Sequence, residues 1–84
     1  MKKVNTKRLT RKRNVNQMPK HIRALLIRHG LLKLYNARPP YQRNDYLGWI
    51  SRAKLETTKE KRINQMFEEL RQGDRYMKMS WNPK

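Results

Sequence analysis

Seven cationic side chains, Lys2, Lys3, Lys7, Arg8, Arg11, Lys12 and Arg13, crowd the first seventeen residues with no acid among them. Together they suit one kind of chemistry. Each can replace a counterion condensed on a polyanion, so nucleic acid, an anionic membrane surface and a very acidic protein are the partner classes they fit. Lys20, Arg23, Arg28, Lys33 and Arg38 continue the run, again without an acid, so twelve basic residues precede Pro39. Across all 84 residues, 22 Lys and Arg stand against 6 Asp and Glu, a formal net charge of +16, well beyond what solubility asks of a small domain. From residue 56 to 73 the balance is four basic to four acidic. The charge is therefore concentrated toward the N-terminus.

Catalytic chemistry finds no comparable set. His21 and His29 lie eight residues apart without a cysteine or a nearby carboxylate, which is not the spacing of a metal site. Asp45 is a lone carboxylate, while Glu68 and Glu69 are chain neighbours that a helix turns in different directions. With no cysteine there is no thiol nucleophile, disulfide or thiolate metal site, and three glycines form no phosphate loop. No catalytic residue, metal, cofactor or small-molecule substrate is predicted, and the chain reads as a non-enzyme. The absence of disulfides leaves the redox compartment open.

These side chains need elements to position them. Eighty-four residues allow one small domain. Residues 1 to 17 are too polar and self-repelling to bury anything, which predicts a disordered basic arm. Pro19 suits a first helical position. Met18, Ile22, Leu25 and Leu26 then recur at helical spacing until Gly30 offers a left-handed stop. Leu31, Leu34 and Tyr35 fit a short second helix that must end before Arg38, because the residue ahead of a proline is pushed out of helical geometry.

A third helix, Pro40 to Lys54, carries Tyr46, Trp49, Ile50 and Ala53 as an apolar stripe with Leu47 at its edge. A fourth begins with Thr57 and Glu60 as a capping box, carries Ile63, Met66, Phe67 and Leu70, and closes at Gly73. The short link between them predicts an αα-hairpin over about 40–72, burying Trp49 and Ile50 against Ile63 and Phe67. At this spacing Tyr46, Trp49 and Phe67 read as core rather than as stacking platforms for bases. Lys54, Glu56, Thr57 and Arg62 read as caps and ion pairs at the corner. Glu68 and Glu69 sit badly for the helix dipole, which implies that they answer basic residues elsewhere, the first helix being nearest. Residues 74 to 84 form a tail in which Met77, Met79 and Trp81 alternate, read as packing on the helices, with an exposed peptide awaiting a partner as the alternative.

The run PPYQRNDYLGWISRAKLETTKEKRINQMFEELRQG resembles the C-terminal helical module of the bacteriocin-protection or OmpD-associated family. The matching positions are Pro40, Tyr46, Trp49, Ile50, Ala53, Lys54, Glu56, Thr57, Arg62, Ile63 and Gly73, and the likeness extends back to Met18 and Pro19. The resemblance implies a small all-α fold and no catalytic residues. Members of that family commonly carry another domain ahead of this module, where this sequence has its basic run.

The combined expectation is an all-α domain of three or four helices over 18–73, a basic arm over 1–17 and a tail over 74–84. Its expected activity is nucleic-acid binding dominated by phosphates and weak in sequence preference. The contacts are assigned to Lys2, Lys3, Lys7, Arg8, Arg11, Lys12, Arg13, Lys20, Arg23 and Arg28. DNA and RNA are not separated at this level. The alternatives are a protein-interaction or envelope-surface module whose arm lies on anionic lipid, and an arm that only solubilises. The first seventeen residues offer just Val4, Leu9 and Val15 as scattered apolar positions, not the apolar run of an export signal, so a cytoplasmic location is expected. ALLIRHGLLKLY is interrupted by Arg28, His29, Gly30 and Lys33, which rules it out as a membrane span.

Overall fold

The structure, a computed structural model, describes residues 15–82. Four helices follow in chain order, α1 Lys20–Arg28, α2 Leu32–Asn36, α3 Pro40–Ser51 and α4 Glu56–Gln72, and then a two-stranded hairpin, β1 Arg75–Tyr76 and β2 Met79–Ser80. The fold is all-α with this small addition.

Local chemistry explains most of the boundaries. Pro19 is the residue just ahead of α1, with extended backbone. Gly30 takes φ +70°, and the Leu31 N–H bonds to the Leu26 carbonyl at 2.8 Å while Gly30 N–H bonds to Ile27 at 3.0 Å. This is the paired closure of a Schellman end, with Leu26 and Leu31 both buried as its apolar contact. Pro39 and Pro40 end the preceding turn and start α3, where Pro40 loses nothing by lacking an N–H.

Two expected boundaries differ. The third helix stops at Ser51 rather than Lys54, and the fourth starts at Glu56 with Leu55 as its flanking residue and no side-chain cap. The Thr57–Glu60 capping box is therefore not formed. A cap residue needs extended backbone, whereas Thr57 already lies inside the first turn of α4, and the Lys59 N–H bonds to the Leu55 carbonyl at 2.9 Å. Gly73 ends α4 as expected, at φ +84°.

The core is shared by all four helices: Ile22 and Leu26 of α1, Tyr35 of α2, Tyr46 and Ile50 of α3, and Ile63, Met66, Phe67 and Leu70 of α4. α3 and α4 pack as the expected αα-hairpin, but Trp49 is only half-buried at its edge, where the Arg62 guanidinium lies 5.2 Å from its ring centre and donates to its carbonyl at 2.6 Å. Leu47, expected at the edge, is buried instead. The burial of Leu47 follows from a neighbour that periodicity does not show. The segment leading into α1 lies along α3, where the Asn16 N–H bonds to Asn44 Oδ1 at 2.6 Å and Asn16 Nδ2 to the Asn44 carbonyl at 3.1 Å. Gly48 makes room for it, since a Cβ there would stand 2.8 Å from Asn16 Nδ2. The packed body thus begins ahead of Met18. The rest of the expected arm, residues 1–14, lies outside the described residues.

Candidate phosphate-binding face

Two sets of polar side chains stand out, one closed and one open. The closed set centres on Glu69, which is 4% exposed. Its carboxylate accepts from the Tyr46 hydroxyl at 2.5 Å, Gln65 Nε2 at 3.2 Å, and the N–H groups of Met77 and Lys78 at 2.9 and 2.7 Å. Met77 and Lys78 form the hairpin tip in left-handed backbone, φ +51° and +65°. That conformation points successive N–H groups into one concavity, a natural anion seat that Glu69 fills. The expectation that Glu69 answers the first helix is corrected here: it answers the hairpin turn. Glu68 pairs with Arg71 at 3.7 Å on α4 itself.

Arg38 completes this set. It is 4% exposed and donates to Gln42 Oε1 at 3.0 Å, the Arg75 carbonyl at 2.8 Å and the Glu69 carbonyl at 2.8 Å, while its guanidinium lies 4.7 Å from the Trp81 ring centre. A cation on the last-turn carbonyl of α4 suits the helix dipole. Trp81 is thereby held half-buried, whereas Met79 of the same alternation is exposed. Tyr76 donates to Asp45 Oδ2 at 2.6 Å and meets Tyr46 edge-on. Burial, then the hydrogen bond and charge of Glu69, push the Tyr46 hydroxyl well above its ordinary pKa. Donors and acceptors here satisfy one another, so the set fastens the hairpin to α4 and offers nothing to a substrate.

The open set lies on the other elements. No acid precedes Asp45, so thirteen Lys and Arg occupy the first 44 residues unopposed in sequence. Because Ile22 and Leu26 face the core, Lys20, Arg23, Ala24, Ile27 and Arg28 fall at i, i+3, i+4, i+7 and i+8 on the outer face of α1, and all are exposed. Lys33 is exposed on α2. No carboxylate among the described residues lies within ion-pair distance of these four cations. On α4, by contrast, Lys59 stands 4.0 Å from Glu56.

Beside this face runs a groove of about 410 Å³ between the entry segment, α1, α2 and α3. Its polar lining is Asn16, Arg23, Tyr35, Asn36, Arg43 and Asn44, over an apolar floor that includes Met18, Leu32 and Leu47, with no carboxylate. Arg43 Nε is buried there without a hydrogen-bond partner. Burial raises the pKa of Tyr35, and the nearby Arg43 charge partly offsets it. The Tyr35 hydroxyl is directed at the Arg43 carbonyl, 3.4 Å away.

Of the predicted contact residues, Lys20, Arg23 and Arg28 share one helix face, whereas Lys2 to Arg13 lie outside the described residues. Arg38, a member of the same acid-free run though not one of the assigned contacts, has its charge buried in the hairpin anchor. Arg43 was missed, though the acid-free run that extends past Arg38 to Asn44 signals it. His21 is exposed, and His29 lies against Phe67 with ring centres 5.4 Å apart. Among the described residues no group of three or more His, Asp or Glu is placed to hold a metal, and no helix is long and apolar enough to cross a membrane. No curated protein and no solved structure matches this chain. The OmdA family model, described as bacteriocin-protection, YdeI or OmpD-associated, matches residues 15–73, most of the chain and all of the four-helix body, and the chain belongs to that family.

Proposed function

We propose that this chain is a small nucleic-acid-binding protein that grips phosphates with little regard for sequence and catalyses no reaction. The observation that carries the reading is the outer face of α1, where Lys20, Arg23 and Arg28 stand exposed with no carboxylate of the described residues at ion-pair distance, continuous in sequence with seven further cations at 2–13. Such a surface gains by releasing counterions from a polyanion. Phosphate contacts of this kind position a protein on a backbone without reading bases. Tyr46 and Phe67, two of the aromatics that could otherwise stack on bases, are buried in the core, which accords with weak base reading. A cytoplasmic location belongs to this proposal.

Binding to a duplex DNA and to a structured RNA, followed by fluorescence anisotropy at several salt concentrations, tests it. Affinity should fall with a log–log slope of about −0.7 to −0.9 per phosphate neutralised and differ little between sequences. Replacing Lys59 and Lys61 on α4 should change it much less than replacing Lys20 and Arg23, because Glu56 and Glu60 already weaken the local potential. A flat salt response, or no affinity at low salt, would defeat the proposal.

A second reading is a protein-interaction or envelope-surface module. The OmpD association in the family description favours it, as does Ile27, half exposed among the α1 cations. Binding to anionic vesicles, or to one protein partner, without nucleic-acid affinity would establish it.

A further inference from the structure

We propose that the groove between α1, α2 and α3 is a phosphate seat, in which Arg43, with Arg23, holds one phosphodiester of the bound nucleic acid. This rests on the nucleic-acid reading for its ligand and adds the place on the fold where that ligand is gripped.

Four observations converge on the groove. The Arg43 Nε–H is buried and meets no acceptor, an uncommon state for a charged donor and one that an arriving anionic oxygen would relieve. A second guanidinium, Arg23, lines the same space, and no carboxylate does. No carboxylate in the lining competes with an anion for either cation. The floor of Met18, Leu32 and Leu47 is apolar, so a charge pair formed over it is less screened than one on the open face of α1. Finally, Asn16 on the rim is bonded to Asn44, so the described segment ahead of α1 is fixed along one edge of this groove.

The chemistry fits phosphate in particular. A guanidinium presents paired donors in a plane that match two oxygens of a phosphate, which a lysine ammonium cannot do. The groove then fixes one phosphate in geometry, and the exposed α1 cations Lys20 and Arg28 add charge on the same helix. The dominant, sequence-independent part of the affinity stays electrostatic.

The test uses the full chain and two probes. Inorganic phosphate is titrated while the arginine Nε–H signals are followed by NMR. The Arg43 and Arg23 signals should move together and saturate, with Arg52 and Arg71 unmoved; equal drift of all arginines, or a stationary Arg43, would overturn the seat. Duplex DNA binding is then compared for the native chain, Arg43→Lys, Arg43→Gln and Lys61→Gln. Arg43→Lys keeps the net charge yet should weaken binding about tenfold, whereas Lys61→Gln, which removes a charge, should weaken it less than about threefold. Arg43→Lys binding like the native chain would also overturn the seat while leaving the phosphate-dominated function standing. Melting curves check that the variants fold; if Arg43→Lys does not, the phosphate titration of the native chain decides. If phosphate moves Arg43 but the duplex is not bound at low salt, the nucleic-acid assignment is overturned. Vesicles containing phosphatidylglycerol that move the same signal would then assign the seat to a lipid headgroup.

Discussion

A carboxylate in the last turn of a helix faces the carbonyl end of the dipole, and Glu69 is held there because four donors converge on it from α3, α4 and the hairpin tip. Replacing Glu69 by Gln keeps the shape but turns one acceptor into a donor facing other donors. Thermal melting should show a loss of about 1–3 kcal/mol, the cost of buried groups left without partners. Tyr46 adds a pH dependence. Its folded-state pKa is raised above the unfolded value of 10.0 by burial and by Glu69, so the folded chain holds its proton where the unfolded chain releases it. The stabilisation is complete below about pH 10 and declines as pH rises further. Melting temperature should therefore fall above about pH 10, and Tyr46→Phe should show a shallower alkaline fall while being less stable at neutral pH. At this scale the sequence was half legible. The misfit of Glu69 with its helix was visible at once, but its partners were not, because main-chain N–H groups carry no residue signature and the left-handed pair that presents them is Met77 and Lys78 rather than glycine or asparagine.

The elements were more legible wherever a backbone constraint is carried by one residue type. Gly30, Gly73 and the Pro39–Pro40 pair mark their helix ends correctly, since only glycine takes positive φ readily and proline cannot continue a helix. Thr57 misled because the pattern Thr-x-x-Glu is equally compatible with a helix that starts two residues earlier, with Leu55 rather than Thr57 as its flanking residue. Thr57→Ala should accordingly change stability by no more than about 0.5 kcal/mol, as for an ordinary exposed position. The hairpin was missed because two-residue strands leave almost no alternation to read, and its turn lacks the usual Asn-Gly signal. That departure is itself testable. Lys78 is exposed at φ +65°, so Lys78→Gly removes a left-handed strain of about 1–2 kcal/mol and costs about 0.5–1 kcal/mol in unfolded-chain entropy. Chemical denaturation should report a small net gain in stability.

For the whole molecule, the helical frame and the lopsided charge were readable from residue order, while the groove was not, since it is made by Asn16, Arg23, Asn36 and Arg43 from four separate segments. Two truncations separate charge from fold. Deleting residues 1–13 and deleting residues 1–17 remove the same seven cations, so both should flatten the salt dependence of DNA binding equally. Only the longer deletion removes the Asn16 bonds to Asn44, so it alone should lower the melting temperature, by the equivalent of about 1–3 kcal/mol. The seat that Glu69 gives the hairpin has a consequence for the order in which the molecule opens. Amide protons at the tip of a short surface hairpin ordinarily trade with solvent within moments, yet those of Met77 and Lys78 end on a carboxylate that is itself buried on α4. They can be released only when the last turns of α4 let go of Glu69. In deuterium exchange these two tip amides should therefore be protected to the same degree as the C-terminal turns of α4, so that hairpin and helix end come apart as one cooperative unit.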